Sequence, residues 1–351
     1  MKAYISGYTD PDRNGRGKGV YVFDYDEARG TLALRQVVEG IVNPSFMAIH
    51  PSRQALYCVN GGGGSGVTAL AIDPEGTLRV LNRVGSPSPG PTHLAVSPSG
   101  RHLVVANYQG GSVAVYPLRE DGGVGEHVDF HQHAGPAGPN AARQDMAHAH
   151  VAVFDPTGER VLVCDLGLDR TFIYRFDPST GRLIANDPPW GLAHPGAGPR
   201  HLEFHPSGRV LYVINELDST ITTFEYDRDR GAMHAVQVLT TLPPGFSGTS
   251  TTAEVVVHPS GRFAYGSNRG DDSLAIFRID ATTGRLTSAG HEPTRGRTPR
   301  HFMIDPAGRF LVAANESTGN VVTFAVDSAN GGLSATGAEV DAGSPSCVLF
   351  I

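Results

Sequence analysis

The sequence has few charged residues and no basic excess, and this shortage excludes whole classes of protein. Charged residues make up only 18% of the 351 positions, and the formal net charge is −7. An average globular domain carries ~25% charged residues. Because nothing here would attract a phosphate backbone, we expect no nucleic-acid partner. Apolar residues still supply 40% of the chain, enough for a large core, which excludes wholesale disorder.

Cysteine and long apolar runs are scarce as well. The three cysteines, Cys58, Cys164 and Cys347, are far apart and form no Cys-x-x-Cys pair. The sequence therefore predicts buried reduced thiols, with neither a disulfide framework nor a thiolate zinc site. The first residues carry no apolar run of the secretory type, and no stretch approaches the ~18 apolar residues of a membrane span. These features predict a cytoplasmic protein without membrane contact.

Glycine and proline, by contrast, are abundant, and they punctuate a repeated phrase of strand, Pro-Ser-Gly turn and second strand ending in Asn. Clear copies span residues 93–107, 201–215 and 301–315, weaker copies span 46–60, 150–165 and 254–268, and a seventh is split between 347–351 and 3–7. The opening residue and the residue after the second strand are 15 apart, or 16 for His150 and Leu166. Successive copies begin 46 to 57 residues apart. This contrast indicates rigid hairpins joined by connections of variable length.

Each copy is followed by two further alternating runs rich in Val, Ile, Tyr and Phe, a pattern typical of strands. Four strands about every 50 residues, repeated seven times, predict an all-β fold, the seven-bladed β-propeller with four antiparallel strands per blade. Two β-sandwiches would not keep so constant a count within each copy. The split copy predicts one blade closed by strands from both termini, which leaves no open sheet edge. Residues 1–351 would then form a single domain.

The hairpin geometry predicts where the chemistry lies. In a propeller the first strand of each blade lines the central channel, so its opening residue and the residue closing the second strand share one mouth. One side of that mouth is polar; its members are His93, His150, Arg200, His201, Glu216, Glu254, Arg269, Arg300, His301 and Glu316. This convergence favours a pocket for a small anionic substrate. Two structural alternatives stay open: the histidines could pack between blades, and the carboxylates could form ion pairs with the arginines.

Other polar residues of the repeats have simpler interpretations. The Asn or Asp that closes each second strand is predicted to hydrogen bond to turn backbone. The longest connection precedes His150 and contains Arg143, Gln144 and His148, and long loops at a mouth shape binding sites. His148 and His150 on one strand would face the same side, as metal ligands require, but no third ligand has suitable spacing. We therefore expect no metal.

Several motifs along the whole chain resemble the lactonase family of seven-bladed propellers, which includes bacterial 6-phosphogluconolactonases and fungal carboxy-cis,cis-muconate cyclases. The motifs are Arg143-Gln144 with His148-Ala-His150, Pro199-Arg-His201 with Asn215-Glu216, Ser267-Asn-Arg-Gly270, and Pro299-Arg-His301 with Asn315-Glu316. The resemblance implies chemistry on a lactone that bears a further anionic group, with no metal or cofactor. It also implies a catalytic set of Glu216, Arg200, Arg269 and either His148 or His150.

Opening a lactone requires a water, a base that takes its proton, and donors for the oxyanion. Glu216, His148 and His150 are the candidate bases, and arginines would stabilise the oxyanion and bind the anionic substituent. The residues predicted to bind substrate are His148, His201, Arg143, Gln144, Arg300, His301 and Glu316. Because the sequence has no Gly-x-Ser-x-Gly elbow on a strand-to-helix turn, a serine nucleophile is less favoured.

Three functions are compatible with these residues and motifs. The leading expectation is hydrolysis of 6-phospho-D-glucono-1,5-lactone, a step of the oxidative pentose phosphate pathway. The second is a cyclase or hydrolase of a carboxylated muconolactone, or another sugar lactonase. The third is a non-catalytic interaction module. The expected partner is a small anionic lactone, and the expected state is a monomer or weak homo-oligomer.

Overall fold

Seven four-stranded antiparallel sheets form the protein, as seen in a computed structural model that describes residues 1–62 and 64–351 in full. Blade 1 combines β28 with β1, β2 and β3, and each later blade takes the next four strands, from β4–β7 to β24–β27. The innermost strands contact one another in the cyclic order β28, β4, β8, β12, β16, β20, β24 and back to β28. The predicted seven-bladed propeller is therefore confirmed.

The strands are bounded as follows: β1 Lys2–Gly7, β2 Gly19–Asp26, β3 Thr31–Glu39, β4 Met47–Ile49, β5 Ala55–Asn60, β6 Gly66–Ile72, β7 Leu78–Gly85, β8 Pro91–Val96, β9 His102–Asn107, β10 Ser112–Pro117, β11 Asp129–Gln132, β12 Ala149–Phe154, β13 Arg160–Asp165, β14 Arg170–Asp177, β15 Arg182–Leu192, β16 Pro199–Phe204, β17 Val210–Asn215, β18 Thr220–Asp227, β19 Ala232–Thr240, β20 Thr251–Val257, β21 Phe263–Arg269, β22 Ser273–Ile279, β23 Leu286–Pro293, β24 Pro299–Ile304, β25 Phe310–Asn315, β26 Asn320–Val326, β27 Leu333–Asp341 and β28 Pro345–Phe350. Short 3-10 turns lie at Pro11–Arg13 and Gly62–Gly64. None of the helical segments in the part described in full could cross a membrane.

The hydrophobic core lies between the faces of neighbouring blades. Second strands such as β9 and β17 are buried along their whole length, whereas the outermost strand β3 is largely exposed. Because both faces of a second strand meet a neighbouring blade, its sequence is a continuous apolar run. Buried tyrosines of three second strands donate their hydroxyls to a glycine carbonyl of the next blade: Tyr4 to Gly76 at 3.0 Å, Tyr212 to Gly284 at 2.8 Å and Tyr265 to Gly331 at 2.9 Å.

A β-bulge at the start of the inner strand reorients one residue in several blades. In β16, Pro199 pairs with Asn215 and His201 pairs with Ile214, which leaves Arg200 as the extra residue. The same register shift makes Thr92, His150 and Arg300 the extra residues of β8, β12 and β24. An extra residue breaks the two-residue alternation, so two successive side chains can point toward the channel.

The position of the bulge changes how the copy that contains His150 is aligned with the other copies of the repeat. His150 opens its copy of the repeat, as His93 and His201 open theirs, but the pairing register sets Val151 opposite Cys164 in the position that His201 takes opposite Ile214. His150 is thus equivalent to Arg200 rather than to His201. The spacing of 16 instead of 15 in this copy is the signal that this shift leaves in the sequence.

The two termini close the ring, as the split copy predicts. Strand β28 pairs with β1 in register from Ala3 opposite Phe350 to Ser6 opposite Cys347. Lys2 and Ile351 exchange both backbone hydrogen bonds at 3.0 Å. Cys347 and Val348 are fully buried, and all three cysteines are free and buried. Blade 1 is therefore complete only when both ends of the chain are present.

Deleting residues 344–351 should abolish cooperative unfolding. The deletion removes β28, whose buried side chains contribute ~1.5–3 kcal/mol each, against a total stability of ~5–15 kcal/mol. Urea denaturation followed by tryptophan fluorescence and circular dichroism measures the effect. Leu349→Ala, a substitution of a half-buried residue in the same strand, is the control and should stay cooperative. A truncated protein with the parent's midpoint would show that closure is not needed.

Candidate active site

A cavity of about 300 Å³ opens at the mouth where the inner strands begin and the second strands end. Four arginines line it, together with one carboxylate, one histidine and two tyrosines: Arg13, Arg143, Arg269, Arg300, Glu216, His150, Tyr8 and Tyr108. Such an excess of cations stands out in a chain of net charge −7. The cavity therefore has the electrostatic character of a site for a small anion.

Glu216 is the centre of the polar cluster. It follows β17, and its backbone N–H donates to Gly198 O at 2.7 Å. Its carboxylate is 3.0 Å from Arg200 Nε, 3.0 Å from Arg269 Nη2 and 2.5 Å from Arg143 Nη2. Burial raises the pKa of Glu216, but the three guanidiniums lower it by more, so the pKa lies far below its usual range. The carboxylate is ionised at neutral pH and is a weak base.

The three guanidiniums differ in how they face the cavity. Arg200 is 3% exposed, donates from Nη1 to Ala253 O at 2.6 Å, and contacts Glu216 from the buried side. Arg269 donates to Thr252 O at 2.6 Å and reaches the cavity wall. Arg143 is the most exposed of the three. A substrate in the cavity would therefore touch Arg143 and Arg269, and would experience Arg200 mainly through its charge.

A second group of cations lies at Tyr8. The guanidinium carbon of Arg300 is 5.2 Å from the centre of the Tyr8 ring, and that of Arg13 is 5.6 Å from it. Arg300 Nη1 also pairs with Glu316 Oε2 at 3.3 Å. Within residues 1–62 and 64–351, Arg13 has no carboxylate partner. Arg13 was not among the residues predicted from the sequence, because it lies in the β1–β2 connection outside the repeat; the unusual length of that connection is the one signal.

His150 reaches the cavity from β12 and is 4% exposed. Its Nδ1 atom has no hydrogen-bond partner among the described residues. Burial, reinforced by the charge of Arg200, lowers the pKa of His150 well below 6.5. The imidazole is therefore neutral at pH 7. Its Nδ1 is buried, so Nε2 is the nitrogen that can accept a proton from the cavity.

His148 and Gln144 lie behind the cavity wall. The His148 ring stacks on Tyr108, with centroids 4.6 Å apart, and its nitrogens contact Tyr108 O at 3.0 Å and Asp145 Oδ1 at 2.9 Å. Gln144 is buried and donates to Leu166 O at 2.9 Å. Neither side chain is part of the lining; both hold the long connection that presents Arg143.

His201 and His301 lie one layer below the cavity, in the channel. Glu254 joins them, with Oε1 at 2.9 Å from His201 Nδ1 and Oε2 at 3.4 Å from His301 Nε2. Phe46 packs on His93 with centroids 4.0 Å apart. Burial lowers the pKa of His301 to about 4 and that of His93 and His201 well below 6.5. These neutral rings fill the channel. Most of the histidines that open copies of the repeat therefore pack between blades, which is one of the two structural alternatives left open by the sequence.

Most of the Asn and Asp residues that close the second strands hydrogen bond to backbone as predicted, but Asn107 and Asn215 donate to the hydroxyls of Ser112 and Thr222 instead. Asn268 Nδ2 donates to Thr241 O at 2.8 Å, and Asn315 Nδ2 donates to Thr294 O at 3.0 Å. Asp165 accepts from the backbone N–H of His148 at 2.8 Å. Across the part of the chain described in full, no three metal-ligating side chains come together in a metal-binding arrangement.

The chain is similar to known proteins along most of its length. Residues 2–350 match the family described as "Lactonase, 7-bladed beta-propeller". A 6-phosphogluconolactonase of Bacillus subtilis is 34% identical over 305 residues, which cover 86% of this chain and 85% of that protein. A 6-phosphogluconolactonase of Pectobacterium atrosepticum is 36% identical over 277 residues, 78% of each chain. The structure of the periplasmic gluconolactonase of Pseudomonas aeruginosa is similar with a TM-score of 0.92 and 32% identity, covering 100% of this chain and 98% of that one.

Proposed function

The chain belongs to the lactonase family of seven-bladed β-propellers, and from that premise we propose that it hydrolyses 6-phospho-D-glucono-1,5-lactone to 6-phosphogluconate. The observation that carries the proposal is the cavity itself, where four arginines face one carboxylate and a neutral histidine. Arginine forks suit a phosphate or a carboxylate, and arginine also stabilises the oxyanion of ester hydrolysis. A pocket built in this way has no evident use in an interaction module.

We propose that His150 takes the proton of the attacking water. As the water oxygen bonds to the lactone carbonyl carbon, one of its protons passes to an imidazole nitrogen of His150. The carbonyl oxygen becomes an oxyanion, which Arg143 and Arg269 stabilise by charge. When the tetrahedral intermediate collapses, the bond from the carbonyl carbon to the ring oxygen breaks, and the ring oxygen takes the proton from His150. The sum is lactone plus water giving the hydroxy acid.

The two other candidate bases have different environments. Glu216 is bound by three guanidiniums and its pKa is far below its usual range, so it is a poor proton acceptor. Both nitrogens of His148 already contact Tyr108 O or Asp145. The oxyanion that forms beside His150 would raise the pKa of its imidazole as the proton is transferred. We therefore infer that Glu216 holds the arginines in place and that His150 is the base.

A panel of lactones tests the proposed function. The panel contains 6-phosphoglucono-1,5-lactone, glucono-1,5-lactone and a carboxylated muconolactone, each corrected for spontaneous hydrolysis. We expect the highest kcat/KM for the phosphorylated sugar lactone, because the cavity supplies guanidiniums for its phosphate as well as for the oxyanion. A higher kcat/KM for the muconolactone would favour the alternative function, and no acceleration of any lactone would contradict both.

Replacing His150 tests the assignment of the base. Because its pKa in the free enzyme is lowered from 6.5, the parent's kcat/KM should stay level above about pH 6.5 and fall only at lower pH, as the imidazole becomes protonated. His150→Gln should reduce kcat by ~100-fold or more, the scale of general-base catalysis, and should remove this acid limb. The measurements are kcat and, for the pH profile, kcat/KM against pH on the preferred lactone.

The control for this experiment is His127→Gln, which removes an exposed histidine remote from the cavity. It should leave both kcat and the pH profile as in the parent. A His150→Gln protein that keeps the parent's kcat and acid limb would assign the base elsewhere.

A further inference from the structure

The arginines of the cavity differ in whether a carboxylate is paired with them. Arg143, Arg200 and Arg269 share the carboxylate of Glu216, and Arg300 pairs with Glu316. Arg13 lines the same cavity without a carboxylate partner in the part of the chain described in full. Arg13 is therefore the cavity arginine that, among the described residues, keeps its whole charge available to a ligand.

Arg13 extends from a connection whose backbone is fixed. Asn43, which is fully buried, accepts from the backbone N–H groups of Thr9 and Asp10, both at 2.9 Å. The carboxylate of Asp10 in turn accepts from the N–H of Asp12 at 3.0 Å, which caps the short 3-10 turn ending at Arg13. The backbone is thus tied to the wall of the ring, while the Arg13 side chain is exposed toward the cavity.

Arg13 lies across the ring from His150. Arg13 and Tyr8 belong to blade 1, and His150 belongs to blade 4, as far apart as a seven-membered ring allows. In 6-phosphoglucono-1,5-lactone the carbonyl carbon and the carbon that carries the phosphate arm are both bonded to the ring oxygen, and the flexible arm can extend away from the carbonyl. A substrate with its carbonyl near His150 can therefore extend its phosphate across the cavity toward Arg13, which lines the same cavity.

We propose that Arg13, together with Arg300 and the Tyr8 ring that both guanidiniums approach, forms the phosphate subsite, and that Arg13 determines the preference for phosphorylated over unphosphorylated lactones. This inference rests on the proposed function for the identity of the substrate. Arg13 is a binding residue here and takes no part in proton transfer. Its guanidinium offers the bidentate donor pair that a phosphate dianion accepts.

The test compares two substrates in two variants. The measured quantity is the ratio of kcat/KM for 6-phosphoglucono-1,5-lactone to kcat/KM for glucono-1,5-lactone. Arg13→Ala should lower this ratio by about tenfold or more, the effect of losing one charge-assisted contact. The matched control is Arg16→Ala on the same connection, since Arg16 Nη2 donates to Ser317 O at 2.8 Å and does not line the cavity. The control should keep the parent's ratio within about twofold.

Binding of inorganic phosphate, measured by isothermal titration calorimetry, supplies a second readout that needs no turnover. Arg13→Ala should weaken it by about tenfold, and Arg16→Ala should not. A parent that prefers the phosphorylated lactone while Arg13→Ala keeps both the ratio and phosphate affinity would overturn the subsite but not the proposed function. A parent without activity on the phosphorylated lactone would overturn the proposed function, and the calorimetric comparison alone would then decide the subsite.

Discussion

One buried carboxylate determines how the pocket is arranged. Three guanidiniums converge on Glu216, and without its charge they would repel one another in surroundings where charges are poorly screened. With it, the arginines stay in place before a substrate arrives, and the cluster keeps a positive balance. A preorganised group of cations needs little rearrangement when an oxyanion forms. The same contacts make Glu216 a poor base, which leaves that role to a group with a free nitrogen.

The fold explains why these groups meet at one mouth. A regular strand sends successive side chains to opposite faces, but the bulge at the start of the inner strands inserts one extra residue there. Arg200, Arg300 and His150 are such residues, whereas His201 lies one step further along, in the channel. The same sheets bury their apolar faces against neighbouring blades. Chemistry at the mouth and stability between the blades therefore depend on different residues, which lets the mouth carry unusual charge.

The fold could be predicted because the sequence contains the same strand–turn–strand phrase seven times. Seven copies with a constant internal count indicate the blades, and the half copies at the two ends indicate the closure through β28 and β1. Glu216 and its arginines could also be predicted from the sequence, because each occupies a position in the repeat or in a motif beside it. Arg13 could not be predicted, since it belongs to a connection that is much longer than the equivalent connections of the other blades. The bulge at His150 shifts the alignment of this copy with the others by one residue. The alternation of apolar residues does not locate the shift, and only the spacing of 16 residues to Leu166 indicates it.

The roles of single residues depended on contacts that a sequence does not state. His148 and Gln144 belong to the same motif as Arg143, yet the first stacks on Tyr108 and the second binds Leu166 O. Only the folded chain separates a side chain that lines the cavity from one that holds the loop behind it. The pKa of Glu216, which burial raises and the arginines lower, also could not be predicted from the sequence. It depends on distances of about 3 Å between groups far apart in sequence.

The most direct measurement on the central claim is the stability and turnover of Glu216→Gln. If Glu216 is the counter-ion of three arginines, its loss should lower the free energy of unfolding by about 3 kcal/mol, and the remaining activity should keep the parent's acid limb. Glu316→Gln, at the partly exposed pair with Arg300, should change stability by no more than about 1 kcal/mol. A Glu216→Gln protein that unfolds like the parent, turns over ~100-fold more slowly and has lost the acid limb would make Glu216 the base and contradict its role as a counter-ion.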